Sequence, residues 1–112
     1  MAKRAILLAE SDARQRGVLK YHLQSDGFVV REAMDRSSVL AELRRRPFFS
    51  LLMMNASLDS KMDGLELARQ LRQCHPSPAI ILLTTQSSED LAIAALKAHV
   101  VTISKPHSRM QS

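Results

Sequence analysis

The sequence predicts an α/β fold: a doubly wound, open sheet of five parallel strands with helices on both faces. Three observations predict it. Short apolar runs at residues 5–9, 28–30, 48–54, 79–83 and 100–104 alternate with four amphipathic stretches. Strands interleaved with helical stretches of about 10–15 residues pair in parallel through right-handed crossovers. The runs are also nearly continuous in apolar residues, as expected of strands buried on both faces.

Each element has its own signals. Ala5 to Ala9 forms the first strand, and Ser11 or Asp12 caps the helix that follows, with Val18, Leu19 and Leu23 on its inner face. Gly27 marks the stop of that helix. Phe28, Val29 and Val30 make the second strand. The second helix spans residues 37–46, with Val39, Leu40 and Leu43 inward, and ends before Pro47. The third strand covers residues 48–54, with Met53 and Met54 filling the core. Asp63 is expected to cap a third helix whose inner side carries Leu65, Leu67, Ala68 and Leu71, closed by Pro76 and Pro78. The fourth strand covers residues 79–83, the fourth helix residues 88–98, and the fifth strand residues 100–104, ended by Lys105 and Pro106.

Length and composition narrow the class. A chain of 112 residues makes one domain, with 46% hydrophobic and 24% charged residues. No apolar run approaches the roughly 20 residues that span a bilayer, and the basic start at Lys3-Arg4 precedes too short an apolar stretch for a signal peptide. Cys74 is the single cysteine, which excludes an internal disulfide and a thiolate metal cluster. A cytoplasmic address fits. The net charge is +5, from 16 Lys and Arg against 11 Asp and Glu. A nucleic-acid surface is one reading of that excess. The only basic run, Arg44-Arg45-Arg46, reads better as a solvated helix end, where cations suit the helix dipole.

In open parallel sheets the functional crevice lies outside the carboxyl ends of the strands. Those ends carry Glu10-Ser11-Asp12, Asn55-Ala56-Ser57, Thr84-Thr85 and Ser104-Lys105. No glycine-rich phosphate loop is present, which argues against a nucleotide-binding domain. No nucleophile–base pairing is legible, which argues against an independent enzyme. His22, His75, His99 and His107 are scattered and read as surface or packing residues.

Four pieces, in this order and spacing, carry a family resemblance: Met62-Asp63-Gly64-Leu65-Glu66-Leu67, Ile80-Ile81-Leu82-Leu83-Thr84, Ala94-Ala95-Leu96-Lys97-Ala98 and Lys105-Pro106. From about residue 5 to residue 106 the chain resembles a bacterial response-regulator receiver domain, with the CheY-like, flavodoxin-like three-layer topology. The resemblance implies an acidic pair for Mg²⁺ at the end of the first strand, where this chain has Glu10 and Ser11, with Asp12 just beyond. It implies a phosphoacceptor aspartate at the end of the third strand. Here that position is Asn55, or Ala56 if the loop is counted back from Gly64 without a gap. Thr84 matches the hydroxyl that contacts the phosphoryl group, Lys105 the lysine that pairs with it, and Thr102 stands where the switch aromatic would be. A fifth helix would follow Lys105-Pro106, and residues 107–112 are too few and too polar to supply it.

The departures have chemical consequences. An amide at position 55 is no nucleophile for phosphoryl transfer, so no acyl phosphate forms there. A hard divalent cation prefers several anionic oxygen ligands, and this site offers Glu10 with neutral Ser11 and Asn55, and Asp12 either as a second carboxylate or as a helix cap, so Mg²⁺ binding should be weak or absent. Lys105 is then expected to pair with Glu10. Asp59 and Asp63 read as a solvated loop residue and a cap rather than substitute acceptors. The expected role is a degenerate receiver, a pseudo-receiver in two-component signalling that acts as a protein-interaction module. The alternative is a receiver phosphorylated on a nonstandard acid. Its partner face would be the fourth helix with the fourth and fifth strands. A homodimer is a second partner expectation, and nucleic acid would be met only through an output domain outside this sequence.

Overall fold

The computed structural model describes residues 5–45, 49–74, 77–84, 89–97 and 100–104. The elements run β1 (Ala5–Ala9), α1 (Ala13–Ser25), β2 (Val29–Ala33), α2 (Arg36–Arg45), β3 (Leu51–Asn55), α3 (Asp63–Arg72), β4 (Ala79–Thr84), α4 (Glu89–Lys97) and β5 (Val101–Ser104). The five strands form one parallel sheet in the order β2-β1-β3-β4-β5. The doubly wound class and the alternation of elements are as expected. Several boundaries differ by a residue, and two strand ends differ by three. β2 runs on to Ala33, because Arg31 and Glu32 pair with Leu7 and Leu8 despite their charge. β3 begins only at Leu51, where its pairing with Ile6 starts.

The strand order dictates the layers. The chain steps from β1 outward to β2, then back across β1 to β3, β4 and β5. With right-handed crossovers, α1 lies on one face and α2, α3 and α4 on the other. The face under α2–α4 is the main core. Leu7 and Ala9 of β1, Leu52 and Met54 of β3, and Ile80 and Leu82 of β4 pack there with Val39, Leu67, Ala68 and Ala95 from the helices. Leu40, Leu43, Leu65 and Leu71 complete it from half-buried positions. On the opposite face Ile6 and Leu8 are buried, Leu51, Met53 and Ile81 are half-buried, and Val101 and Ile103 are exposed.

Helix α1 differs from its expected packing. Leu19 and Leu23 are half-buried, but Val18 is 52% exposed. The inward row is Gln15, Leu19 and Leu23, spaced four apart, and Val18 falls outside it. Asp12, not Ser11, caps α1: its Oδ1 accepts from the N–H groups of Arg14 at 2.9 Å and Gln15 at 3.0 Å. Gly27, at φ 94°, turns the chain out of the helix in a conformation costly for other residues. His22 is exposed, edge-on to Tyr21. Arg44 and Arg45 form the exposed last turn of α2, the solvated helix end expected of the basic run. Pro47, Phe48, His75, Pro76, Ala98, His99 and residues 105–112, where the expected fate of the fifth helix would be decided, lie outside the described residues.

Candidate functional site at the carboxyl end of the sheet

The parallel register brings the ends of β1, β3 and β4 together. Ala9 pairs with Met54, Asn55 with Leu83, and Thr84 with Ser104. Glu10 follows β1 directly and is 1% exposed. Its backbone is held twice: its N–H donates to the Ala33 carbonyl at 3.0 Å, and its carbonyl accepts from Arg16 Nη1 at 2.7 Å. Arg16 in turn meets Glu32 at 3.0 Å, with Lys20 on the other Glu32 oxygen at 2.8 Å. The Lys20 hydrogen bond, opposed by partial burial and aided by Arg16, holds the Glu32 carboxyl below the usual range.

Asn55 closes the site from β3. Its Nδ2 donates to both carboxylate oxygens of Glu10, at 3.0 and 3.2 Å. Its Oδ1 accepts from the N–H of Ser57 at 2.9 Å, an Asx turn that fixes which end of the amide faces Glu10. The N–H of Asp12 adds a bond of 3.1 Å to Glu10 Oε2. Ala56, the other position considered for the family's acceptor, buries its methyl group and donates its N–H to the Leu83 carbonyl. Thr84 is buried at the end of β4, and Thr102 is half-buried opposite Leu82. Ser11 is exposed. Lys105 and Thr85 lie outside the described residues.

The loop from β3 to α3 is stapled by side chains that sequence reasoning placed otherwise. Asp63 does not cap α3: the cap position is Met62, in the left-handed region at φ 62° and without a side-chain cap bond. The Asp63 carboxylate reaches back to the loop, accepting from the N–H of Leu58 and, at 2.9 Å, of Asp59. Burial opposes its ionisation, but the amides of Leu58, Asp59, Ser60 and Gly64 outweigh burial and hold its carboxyl below the usual range. Ser57 Oγ accepts from the Met62 N–H at 2.9 Å. From sequence Ser57 stood only as part of the strand end Asn55-Ala56-Ser57, although Asn side chains commonly bond the backbone N–H two residues on. Gly64 packs its Cα on the end of β3, where an added Cβ would enter the Asn55 carbonyl oxygen and come within 3.0 Å of the Ala56 carbonyl. Asp59 is exposed and accepts from the Arg36 N–H at 3.3 Å.

Among the described residues no group of three or more His, Cys, Asp or Glu is placed to hold a metal ion, and no helix is long and apolar enough to cross a membrane. The family model for the response regulator receiver domain matches residues 6–111. The chain is 30% identical over 94 residues to the nitrogen assimilation regulatory protein NtrX of Azorhizobium caulinodans, covering 82% of this chain and 20% of that protein. It is 28% identical over 93 residues to the transcriptional regulatory protein ZraR of Klebsiella oxytoca, covering 83% of this chain and 20% of that one. The chain thus spans about a fifth of the length of these curated relatives. Among solved structures, a CheY-like receiver domain protein from Methanospirillum hungatei superposes with a TM-score of 0.83 at 25% identity, over 96% of this chain and 85% of that one. A Burkholderia pseudomallei response regulator solved with a phosphorylated aspartic acid and a calcium ion gives 0.80 at 24%, over 95% of this chain and 62% of that one. The carboxyl-end site, the strand order and these matches agree: the chain belongs to the response regulator receiver domain family of two-component signalling.

Proposed function

We propose that this receiver domain is a protein-interaction module whose output is not gated by phosphorylation at the end of β3. The observation that carries this is the Asn55 carboxamide, bonded to both oxygens of Glu10 and to the Ser57 N–H. Phosphoryl transfer needs an anionic oxygen to form the new bond to phosphorus as the donor's P–O bond breaks. An amide oxygen carries no such charge, and this one is already accepting from Ser57.

The donor set does not fit a divalent cation. Among the described residues Glu10 is the one buried carboxylate, and both its oxygens face the Asn55 amide hydrogens. The Asp12 Oδ1 is engaged by the first turn of α1. Mg²⁺ would gain too few anionic oxygens to offset its dehydration. The domain therefore works without cofactor and without catalytic residues of its own.

The partner surface in this reading is α4 with β4 and β5. Ile93 and Leu96 are exposed apolar residues on α4, and Val101 and Ile103 are exposed on the face of β5 turned away from α4. Lone exposed apolar residues are ordinary, but pairs of them on both sides of the β5 edge favour a protein contact, with a regulator partner first and a second copy next. The much longer relatives support a place within a larger cytoplasmic regulator, whose output domain would make any contact to nucleic acid.

Intact-mass spectrometry after incubation with acetyl phosphate and Mg²⁺ tests the reading. The expected result is no stoichiometric phosphate adduct. An adduct mapped to Asp59, Asp63 or another acid would overturn it in favour of a receiver with a nonstandard acceptor.

A further inference from the structure

We propose that the Asn55 carboxamide does the work of a bound cation: its N–H hydrogens hold the buried Glu10 carboxylate in place, so the site assembles without metal. A carboxylate that is 1% exposed has lost most of its water and needs donors in return. Asn55 Nδ2 supplies them at 3.0 and 3.2 Å, and the Asp12 N–H supplies another at 3.1 Å. The orientation is enforced from the far side. With Oδ1 accepting from Ser57, a flipped amide would set an oxygen against Glu10 and lose both contacts. The backbone of Glu10 is pinned by Ala33 and Arg16, which fixes the point from which the side chain reaches Asn55.

The consequence is an exchange between amide and metal. An aspartate at position 55 would bring a second carboxylate oxygen to about 3 Å from the first, where like charges in a buried site disfavour joint ionisation. That site would gain from a divalent cation between the two carboxylates, at the place where the natural chain has the amide hydrogens. Asn55 is thus a positioning residue for Glu10.

Thermal melts in EDTA and in millimolar MgCl₂, at matched ionic strength, test this with three proteins. The natural chain should melt at the same temperature in both. Asn55→Asp should melt about 5–10 °C lower in EDTA and recover most of that loss in MgCl₂. Asn55→Ala should melt lower in both, with no recovery. Asn55→Asp melting with the natural chain in EDTA would overturn the proposal. So would a natural chain that gains as much from MgCl₂ as the variant does. Side-chain amide NMR provides a second measurement on the natural chain alone. The two Asn55 Nδ2 proton signals should stay in place as Mg²⁺ is added, and a saturable shift would overturn the exchange. A phosphate adduct on another acid would end the phosphorylation-independent reading and leave this role of the amide intact.

Discussion

The end of β3 and the start of α3 face each other across one loop, yet they have fared differently. At the end of β3 stands the amide of Asn55, where the family resemblance leads one to expect an acid at this residue or at Ala56. At the start of α3 the backbone keeps the fit of the motif: Gly64 lies against the Asn55 carbonyl, and Asp63 staples the loop between them. The difference separates two kinds of constraint. Gly64 and Asp63 serve the close approach of helix to strand, which the fold needs whatever reaction occurs. The side chain at 55 serves chemistry, and only the hydrogen bonds to Glu10 and Ser57 limit what can stand there.

The severest way to break the comparison is Gly64→Ala. The new methyl group would meet carbonyl atoms of Asn55 and Ala56, and these are backbone, not a movable side-chain end. The helix must move off the strand, at about 3 kcal/mol by the usual cost of overpacking. Urea unfolding should show that loss. A variant as stable as the natural chain would mean that α3 is free to shift, and that the site's frame is not held at Gly64.

Asp63→Ala comes next. It removes the acceptor shared by the Leu58 and Asp59 amides, and leaving those donors unpaired should cost about 2 kcal/mol. The same carboxylate gives a pH signature. Its folded pKa is lowered from the ordinary 3.8. Its stabilisation is therefore fully present above that value and disappears as pH falls through the lower, folded one. Unfolding free energies measured from neutral pH down into that acid range should converge between Asp63→Ala and the natural chain. A gap that persists undiminished at the acid end would show that the carboxylate is not the stapling group.

How far this was legible in the sequence follows from the range of the forces. The strands announce themselves as apolar runs, most fully in β1, β3 and β4, and all five overlap those runs even where β2 continues over Arg31 and Glu32 and β5 leaves Val101 and Ile103 exposed. Helix α1 announces itself less well. It is mostly polar, so Val18 competed with Gln15 for the inner row, and the structure gives that place to Gln15. The role of Asp63 was ambiguous for a chemical reason. A carboxylate beside a helix start accepts N–H groups whether it caps the helix or staples the preceding loop, and only the left-handed turn at Met62 decides between them. The bond from Asn55 to Glu10 joins residues far apart in sequence. No local pattern encodes it; only the β1–β3 register brings the two together.

The mildest perturbation, Ser57→Ala, separates the two sides of the loop most finely. Ser57 touches both: its N–H donates to Asn55 Oδ1, and its hydroxyl accepts from the Met62 N–H. The substitution removes only the hydroxyl, so the hold on Asn55 survives while the turn into α3 loses the bond from the Met62 N–H and a long, weak one to the Met62 sulfur at 3.9 Å. The cost should be about 1 kcal/mol, the net value of a single hydrogen bond at a half-buried site. A double-mutant cycle with Asn55→Ala then measures how far the two regions are independent. The hydroxyl and the amide share no hydrogen bond, so the two costs should add to within about 0.5 kcal/mol. A larger coupling would show that the turn at Met62 and the amide at Asn55 respond to each other through the Ser57 backbone. The loop would then be a single unit, and the altered side chain and the retained backbone could not have changed separately.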